Sequence, residues 1–506
     1  MLKALFDSFN EDLKKNVIEQ IHNHLFYKAS ITDADRRVKI IHSRLDGKDY
    51  CRVIESGLYA DAVGAIGSKS SKILRCYKYF TDRVFKLSEK QNTELFGRLL
   101  DRENKYLVLI DLFPHDDEQA IFDTINSAGV RLSGADIVKN ALFQRASKVM
   151  SEDEVEGLYE SCWEGIFAQD EDALAFWDTP KSTGRLMRDN IEILLHSVAV
   201  IKGFFDPDVH TLSKLPAVYK TRFDSLDRKE LKEFTLEIAE YAKLYRVHIL
   251  SFDSTSLFSY GDERKRLFHV LDVCEISTFH PYVLALFHKH KSDEASLLAK
   301  LHDLERLVIR RLIAKKETKS YNKLCLDFIS NNDLARSKLE EVTDQDILTG
   351  IEAISNKNAA LLLFWIELRR RHVDNKQGVK DLKYNYSLEH VLPQKWEQHW
   401  SAIPVKNKEG ETLIDQNLAK RERDAALAQI GNMTLLTSSL NSSLKNYSYL
   451  IKLKGDGRKK GISSYADLSI TKDDIVDAFD GVNKTWDEVA IRARTQALGV
   501  ECLQVW

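Results

Sequence analysis

The sequence predicts a mainly α chain with small α+β parts, and three observations carry that reading. Only 7 prolines and 21 glycines occur in 506 residues. Both usually punctuate regular structure, so long helices with short joints are the economical arrangement. Apolar residues recur at helical spacing: in LLAKLHDLERLVIRRLIAKK (297–316), Leu297, Leu301, Leu304, Val308 and Leu312 step by four, three, four and four. That spacing keeps them on one face. Strand-like segments are short and scattered, which confines β structure to small parts.

In chain order, residues 1–30 read as one amphipathic helix, with Leu2, Leu5, Phe6, Phe9 and Leu13 at helical spacing from the start. RRVKIIHSRLDGKDYCRVIESG (36–57) fits two short strands around a turn at Asp46-Gly47, a common hairpin signal. Helix returns over 70–104, where SKILRCYKYFTDRVFKL interleaves basic and aromatic residues. The ordinary reading is a helix with its aromatic side inward. KYLVLIDLF (105–113) reads as a buried strand. In the following segment Ile121, Phe122 and Ile125 form a helix face, and Gly129 ends that helix. Ser133 then caps a second helix carrying Ile137, Val138, Leu142 and Phe143.

From about 150 to 360 the pattern is helical, with candidate joints near 168–182 and 251–256. The outer face of the 297–316 helix carries Arg306, Arg310, Arg311, Lys315 and Lys316. A solvated charged face is the ordinary reading and a phosphate-contacting face the sharper one. After residue 370 the chain turns polar, basic and aromatic, with short segments and turns. Three regions follow: 1–150, a helical middle at 151–365, and a C-terminal domain at 366–506.

Composition removes several function classes. The chain is 43% hydrophobic and 30% charged with a net charge of -3, so no global basic excess marks a nucleic-acid binder. Any such contact must come from a local cluster of Lys and Arg. Six cysteines occur without a C-x-x-C pair, which disfavours a cysteine zinc site and suits a reduced, cytoplasmic protein. The start, MLKALFDSFNEDLKK, lacks the pattern of a secretory signal. The longest apolar run, AALLLFWIEL (359–368), is too short to span a bilayer.

The chemistry-bearing residues gather in the last third. They are Glu389-His390 in YSLEHVLPQ, Asn432 in IGNMTLL, and Asn441 followed by Lys445 and Asn446. Phosphodiester hydrolysis with one metal ion needs a neutral histidine to take a proton from water. It also needs oxygen ligands for a hard cation and a group that fixes the imidazole. A two-stranded ribbon followed by a helix supplies these. YSLEHV is the first strand, with Glu389 and His390 on opposite sides, and TLL (434–436) the second. The helix spans 438–450, with Asn441 and Lys445 one turn apart. Asn432 sits in the connecting loop, where its amide ties backbone together. His399 reads as structural.

This order of His, Asn and Asn resembles the HNH nucleases. The stretches LEHVLPQ, IGNMTLLTSSLNSSLKN and TWDEVAIRARTQAL resemble, more narrowly, the nuclease domain of GmrSD-type restriction endonucleases. IFDTINSAGVRLSGADIVKNALF resembles the ParB/sulfiredoxin-like GmrS domain of the same architecture. The resemblance implies a ββα-metal fold at the C-terminus, with His390 as general base and Glu389 and Asn441 as ligands of Mg²⁺ or Mn²⁺. Asn432 is then the structural asparagine of the catalytic loop, and Lys445 a phosphate contact. Asn126, Arg131, Asp136 and Lys139 would form part of a pocket for GTP or another nucleoside triphosphate.

The Asp-Gly-Gln-Gln-Arg-like motif expected upstream of a helix like LKALFDSF does not occur. The resemblance therefore implies a missing N-terminal segment, whether through a late start, a truncation or a split partner. The implied function is metal-dependent cleavage of modified phage DNA in bacterial defence, controlled by the first domain. The implied partners are DNA and either a second copy or a chain supplying the missing segment, with no membrane. Two alternatives stand beside it. One is a nuclease-silent regulatory or DNA-binding subunit; the other is a generic helical scaffold in which the 389–446 constellation is chance.

Overall fold

The computed structural model describes all residues except 28–36, 41, 43, 56–62, 64, 68–69, 102, 105–132, 184–185, 375–377, 459 and 479–484. The chain divides into two compact units, Met1–Arg131 and Leu132–Trp506. Helix predominates among the described residues, and every sheet there is a pair of strands.

In the first unit the single helix expected over 1–30 is broken. A helix Leu2–Ser8 is followed by Glu11–Leu25, and the Asn10 side chain caps the second by accepting from Leu13 N at 2.8 Å. The break lets Leu5 and Phe9 share a core with Ile21, Val84 and Phe96. The hairpin expected over 36–57 is also replaced. Arg37–Val38 pairs antiparallel with Phe26–Tyr27, and Arg44–Glu55 is a helix. Asp46 lies in the first turn of that helix, where a carboxylate suits the helix N-terminus. Val53 then joins Ala4, Val63 and Tyr77 in a small core, so burial overrode the local Asp-Gly turn signal.

The helix expected over 70–104 is two, Lys72–Val84 and Glu89–Leu100, separated by a capping box of Ser88 and Gln91. Tyr77 is buried while Tyr79 and Phe85 are exposed, so the aromatic side is only partly inward. The strand expected at 105–113 and the helix ending at Gly129 lie outside the described residues.

The second unit opens with the helix Gly134–Val149, capped as expected by Ser133, whose Oγ accepts from Asp136 N at 3.1 Å. The division between units therefore falls ahead of this helix and not at 150. The joint expected near 168–182 holds the helix Glu171–Trp177 and the start of Pro180–Thr183, which pairs with Leu186–Asp189. The one near 251–256 carries no regular element and leads into Leu257–Phe258, which pairs with Leu382–Lys383. The helix Glu294–Ile313 buries Leu297, Leu301, Leu304 and Val308, as its spacing requires, but it buries Arg310 and Arg311 too. Arg310 Nη2 donates to Val342 O (2.8 Å) and Asp344 Oδ1 (2.7 Å). Arg311 Nη2 donates to Glu317 O and Ser320 Oγ, both at 3.1 Å. Fork-shaped guanidinium groups find fixed acceptors in this way. At these two positions the charged face is neither solvated nor open to phosphate.

The boundary expected at 365/366 falls inside a continuous helix, Asn356–Val373, in which Leu361 through Ile366 are fully buried. One hydrophobic core extends from Ala135 to Trp506 and takes in Met433 and Leu435. The C-terminal helix Glu488–Val505 is held at its end by Trp506 Nε1 donating to Glu305 Oε1 at 2.7 Å. All six cysteines are free. No helix among the described residues is long and apolar enough to cross a membrane.

Candidate functional site

The expected strand–strand–helix order is present. Ser387–His390 pairs antiparallel with Met433–Leu436, with Glu389 opposite Thr434 and His390 opposite Met433. The helix Ser438–Leu444 follows at once. The frame rests on a cluster that includes Val391, Leu392, Trp400, Leu436, Leu440 and Leu444, so apolar residues flanking each polar one anchor the ribbon and helix.

Strand alternation separates the opening pair. Glu389 is buried and His390 half-buried, as adjacent strand side chains require. Asn432 is fully buried at the end of a turn, Ile430–Asn432. Its Oδ1 accepts from Leu392 N at 2.8 Å and its Nδ2 donates to Leu392 O at 2.9 Å. Its own carbonyl accepts from Val391 N at 2.9 Å. Three hydrogen bonds thus fix the backbone directly after His390. Asn441 lies on the helix, and its Nδ2 donates to Leu388 O at 2.9 Å. The amide nitrogen is tied to the strand, which leaves Oδ1 as a potential ligand.

Lys445 departs from its expected place. The helix expected over 438–450 ends at Leu444. Lys445 follows with φ +48° and ψ −144°, and a new helix begins at Tyr449. The turn lets both Leu444 and Tyr449 enter the same cluster. Lys445 is exposed.

The sequence reading missed Lys452, which is 1% exposed. Its Nζ donates to Glu389 Oε1 at 2.5 Å and to His390 O at 2.7 Å. The available signal was a lysine inside an apolar run, YLIKLK, on the helix Tyr449–Lys454. Burial raises the Glu389 carboxyl above its ordinary pKa, with Lys452 opposing, and lowers the Lys452 ammonium, with Glu389 opposing. Burial, then the Lys452 charge, lowers His390 below its ordinary value. This favours the neutral imidazole that a general base needs near pH 7. Among the described residues no hydrogen-bond partner orients the His390 ring, which the chemistry would ask for.

A second missed layer comes from the C-terminal helix. A Cβ on Gly431 would lie 2.1 Å from Ile491 O and 2.4 Å from Thr495 Oγ1, so only glycine allows this approach. Gly431 N donates to Thr495 Oγ1 at 3.1 Å. Arg494 Nη1 donates to Gly431 O (2.8 Å) and Met433 O (2.6 Å), the carbonyls on either side of Asn432. Arg423 and Glu488 form a second buried pair at 2.7 Å, with Arg423 Nη1 also on Trp400 O.

No group of three or more His, Cys, Asp or Glu able to hold a metal occurs among the described residues. The donors present are the Glu389 carboxylate, the Asn441 Oδ1 and the His390 imidazole. By type they are ligands for a hard cation, but strand alternation sets Glu389 and His390 on opposite sides, and Glu389 Oε1 already accepts from Lys452 Nζ. Of the implied nucleotide-pocket residues, Asn126 and Arg131 lie outside the described residues. Asp136 and Lys139 pair with each other at 3.2 Å, and Asp136 Oδ2 accepts from Ser133 Oγ at 2.8 Å.

Residues 308–500 match the family model described as GmrSD restriction endonucleases, C-terminal domain. The match contains the whole strand–strand–helix site and begins within the helix Glu294–Ile313. The C-terminal region is therefore similar to the C-terminal domain of those restriction endonucleases. No curated protein matches the chain.

Proposed function

We propose that the chain hydrolyses DNA phosphodiester bonds at the strand–strand–helix site, as an HNH-type endonuclease of antiviral restriction. The observation that carries this reading is the placement of His390 on the first of two paired strands, Asn432 in the turn that enters the second and Asn441 on the helix after them, inside the matched region. His390 is the general base, kept neutral by burial and by Lys452. Asn432 holds the backbone that follows it. Glu389 and Asn441 would hold Mg²⁺ or Mn²⁺, which when bound supplies charge stabilisation at the phosphate. Lys452 positions Glu389 and the strand carbonyl, and Lys445 offers an exposed cation to the DNA backbone. The substrate is modified phage DNA, met in the cytoplasm, with the first unit and a nucleoside triphosphate controlling access.

His390→Ala is expected to abolish plasmid nicking in Mg²⁺ or Mn²⁺ while circular dichroism and the melting transition stay unchanged. Undiminished cutting by a clean preparation of that variant would sink the assignment. A second reading, a nuclease-silent subunit that acts with a partner chain, is favoured by one observation: the Lys452 ammonium lies on the proposed metal ligand. On that reading the pure chain binds DNA and cuts it with neither metal.

A further inference from the structure

Away from the strand–strand–helix site, the helical part of the second unit forms a half-open cavity of about 340 Å³. Its polar wall includes Arg188, His196, Thr211, Ser277, Thr278 and Asn322, and its apolar wall includes Phe205 and Leu212. None of these residues belongs to the proposed nuclease machinery. The volume lies within the range of small-molecule sites, which combine apolar walls with a few convergent polar groups.

Arg188 is the anomaly. It is only 9% exposed, yet among the described residues it forms no ion pair. Its Nη2 donates to the main-chain carbonyl of Glu192 at 3.0 Å. The Glu192 carboxylate acts on it from a distance, while Glu192 Oε1 accepts from Gly134 N at 3.0 Å. Buried charges are ordinarily paired, because an unpaired one is costly to desolvate. Burial accordingly lowers the Arg188 pKa, and lowers His196 to about 3, with Arg188 and His280 adding to the effect.

The neighbouring space is of mixed charge, so Arg188 is the cation that distinguishes the first cavity. An adjoining cavity of about 300 Å³ shares Ile193 and Ser277 and is bordered by Lys181, Asp272, Glu275 and His280. Lys181 Nζ donates to Ser251 Oγ at 2.5 Å, with Asp272 partly offsetting its charge. The His280 Nδ1 is buried without a partner. In the first cavity an aromatic surface accompanies the cation: His196 meets Phe205 edge-on at 5.1 Å, and His210 lies 5.2 Å from the same ring.

We infer that this cavity binds a small phosphate monoester of mononucleotide size, with its phosphate on Arg188 and its body against Phe205 and His196. Guanidinium matches phosphate with two parallel donors, and the hydroxyls of Thr211, Ser277 and Thr278 can complete the anion's hydrogen bonds. The partly aromatic remainder, walled by Phe205, His196 and His210, suits a base better than a second charged group.

The test is thermal unfolding and titration calorimetry of the full chain with adenosine monophosphate, adenosine, inorganic phosphate and citrate. Adenosine monophosphate should raise the melting temperature saturably, more tightly than inorganic phosphate, and adenosine should not. Arg188→Met should weaken binding at least ~10-fold, the effect of losing charge-assisted hydrogen bonds. Leu212→Trp, which fills the cavity from a partly exposed position, should abolish binding and decides the matter if Arg188→Met does not fold. Three results would overturn the inference: no saturable shift with the monophosphate, a shift kept by Leu212→Trp, or citrate or inorganic phosphate binding as tightly as the nucleotide.

Discussion

Replacing Lys452 by methionine removes the ammonium that two site atoms share while keeping a chain of similar length. The pair is buried on both sides, with side-chain exposures of 1% for Lys452 and 10% for Glu389. Truncating one partner of such a pair costs about 3–5 kcal/mol, because the other charge stays behind in an apolar setting. An independent limit gives the same range. Glu389 can escape by taking a proton, which at pH 7 costs about 3.7 kcal/mol from an ordinary glutamate pKa of about 4.3. The lost hydrogen bond to His390 O, at 2.7 Å, adds about 1 kcal/mol.

Urea unfolding followed by tryptophan fluorescence reads this loss, since buried Trp400 and Trp486 share a cluster with Leu453. The double variant Lys452→Met with Glu389→Gln should recover about 2 kcal/mol or more, as no charge is then left unpaired. The same substitution has a kinetic signature. Lys452 helps hold the His390 pKa down, so its removal should move the acid limb of the cleavage profile to higher pH. A loss of stability under ~1 kcal/mol, or an acid limb that does not move, would refute the role given to Lys452.

Two further substitutions separate framework from contact. Asn432→Ala strands the N–H and the carbonyl of buried Leu392, so it should cost about 2–5 kcal/mol in urea unfolding and suppress cleavage with it. A near-neutral Asn432→Ala would remove the loop-tying role. Lys445 sits at a backbone conformation that is largely glycine territory, a placement that costs about 1–3 kcal/mol in a residue with a Cβ. Lys445→Gly should therefore raise stability by about 1–2 kcal/mol while lowering DNA affinity. The slope of log affinity against log salt should also fall by about 0.9. Unchanged salt dependence would show that Lys445 meets no phosphate.

The parts of the site that lie close in sequence were legible. The strands at 387–390 and 433–436, the turn holding Asn432 and the start of the helix holding Asn441 all follow from local pattern. The Ser133 cap was legible for the same reason, since capping is a contact three residues long. Elements whose form depends on distant burial were not. Residues 44–55 carry a good hairpin turn signal, yet they are helical because Val53 completes a core with Ala4, Val63 and Tyr77. The break at Lys445 depends on Leu444 and Tyr449 entering one cluster, and Lys452 reads as solvated until Glu389 is placed beside it. Arg310 and Arg311 illustrate the limit from the other side: their acceptors, Val342, Asp344, Glu317 and Ser320, lie outside their own helix.

The supports of the site also explain why its frame does not end where composition changes. Arg494 holds the carbonyls around Asn432 and bonds Asp474 through Nε at 3.1 Å. Asp474 in turn accepts from Arg370 Nη1 at 2.9 Å, and Arg370 Nε also donates to Glu501 at 2.8 Å. Arg370 belongs to the helix Asn356–Val373, whose buried run lies in the core shared with the helical region. Each link joins charged groups that are at most partly exposed, so the rigidity of the Asn432 loop depends on a helix that begins before residue 366. The composition shift near 370 marks where polar turns enter the sequence, whereas the physical frame of the site reaches back through Arg370 to the helices ahead of it. The family match over residues 308–500 takes in Asn432, Arg494, Asp474 and Arg370 and stops one residue short of Glu501.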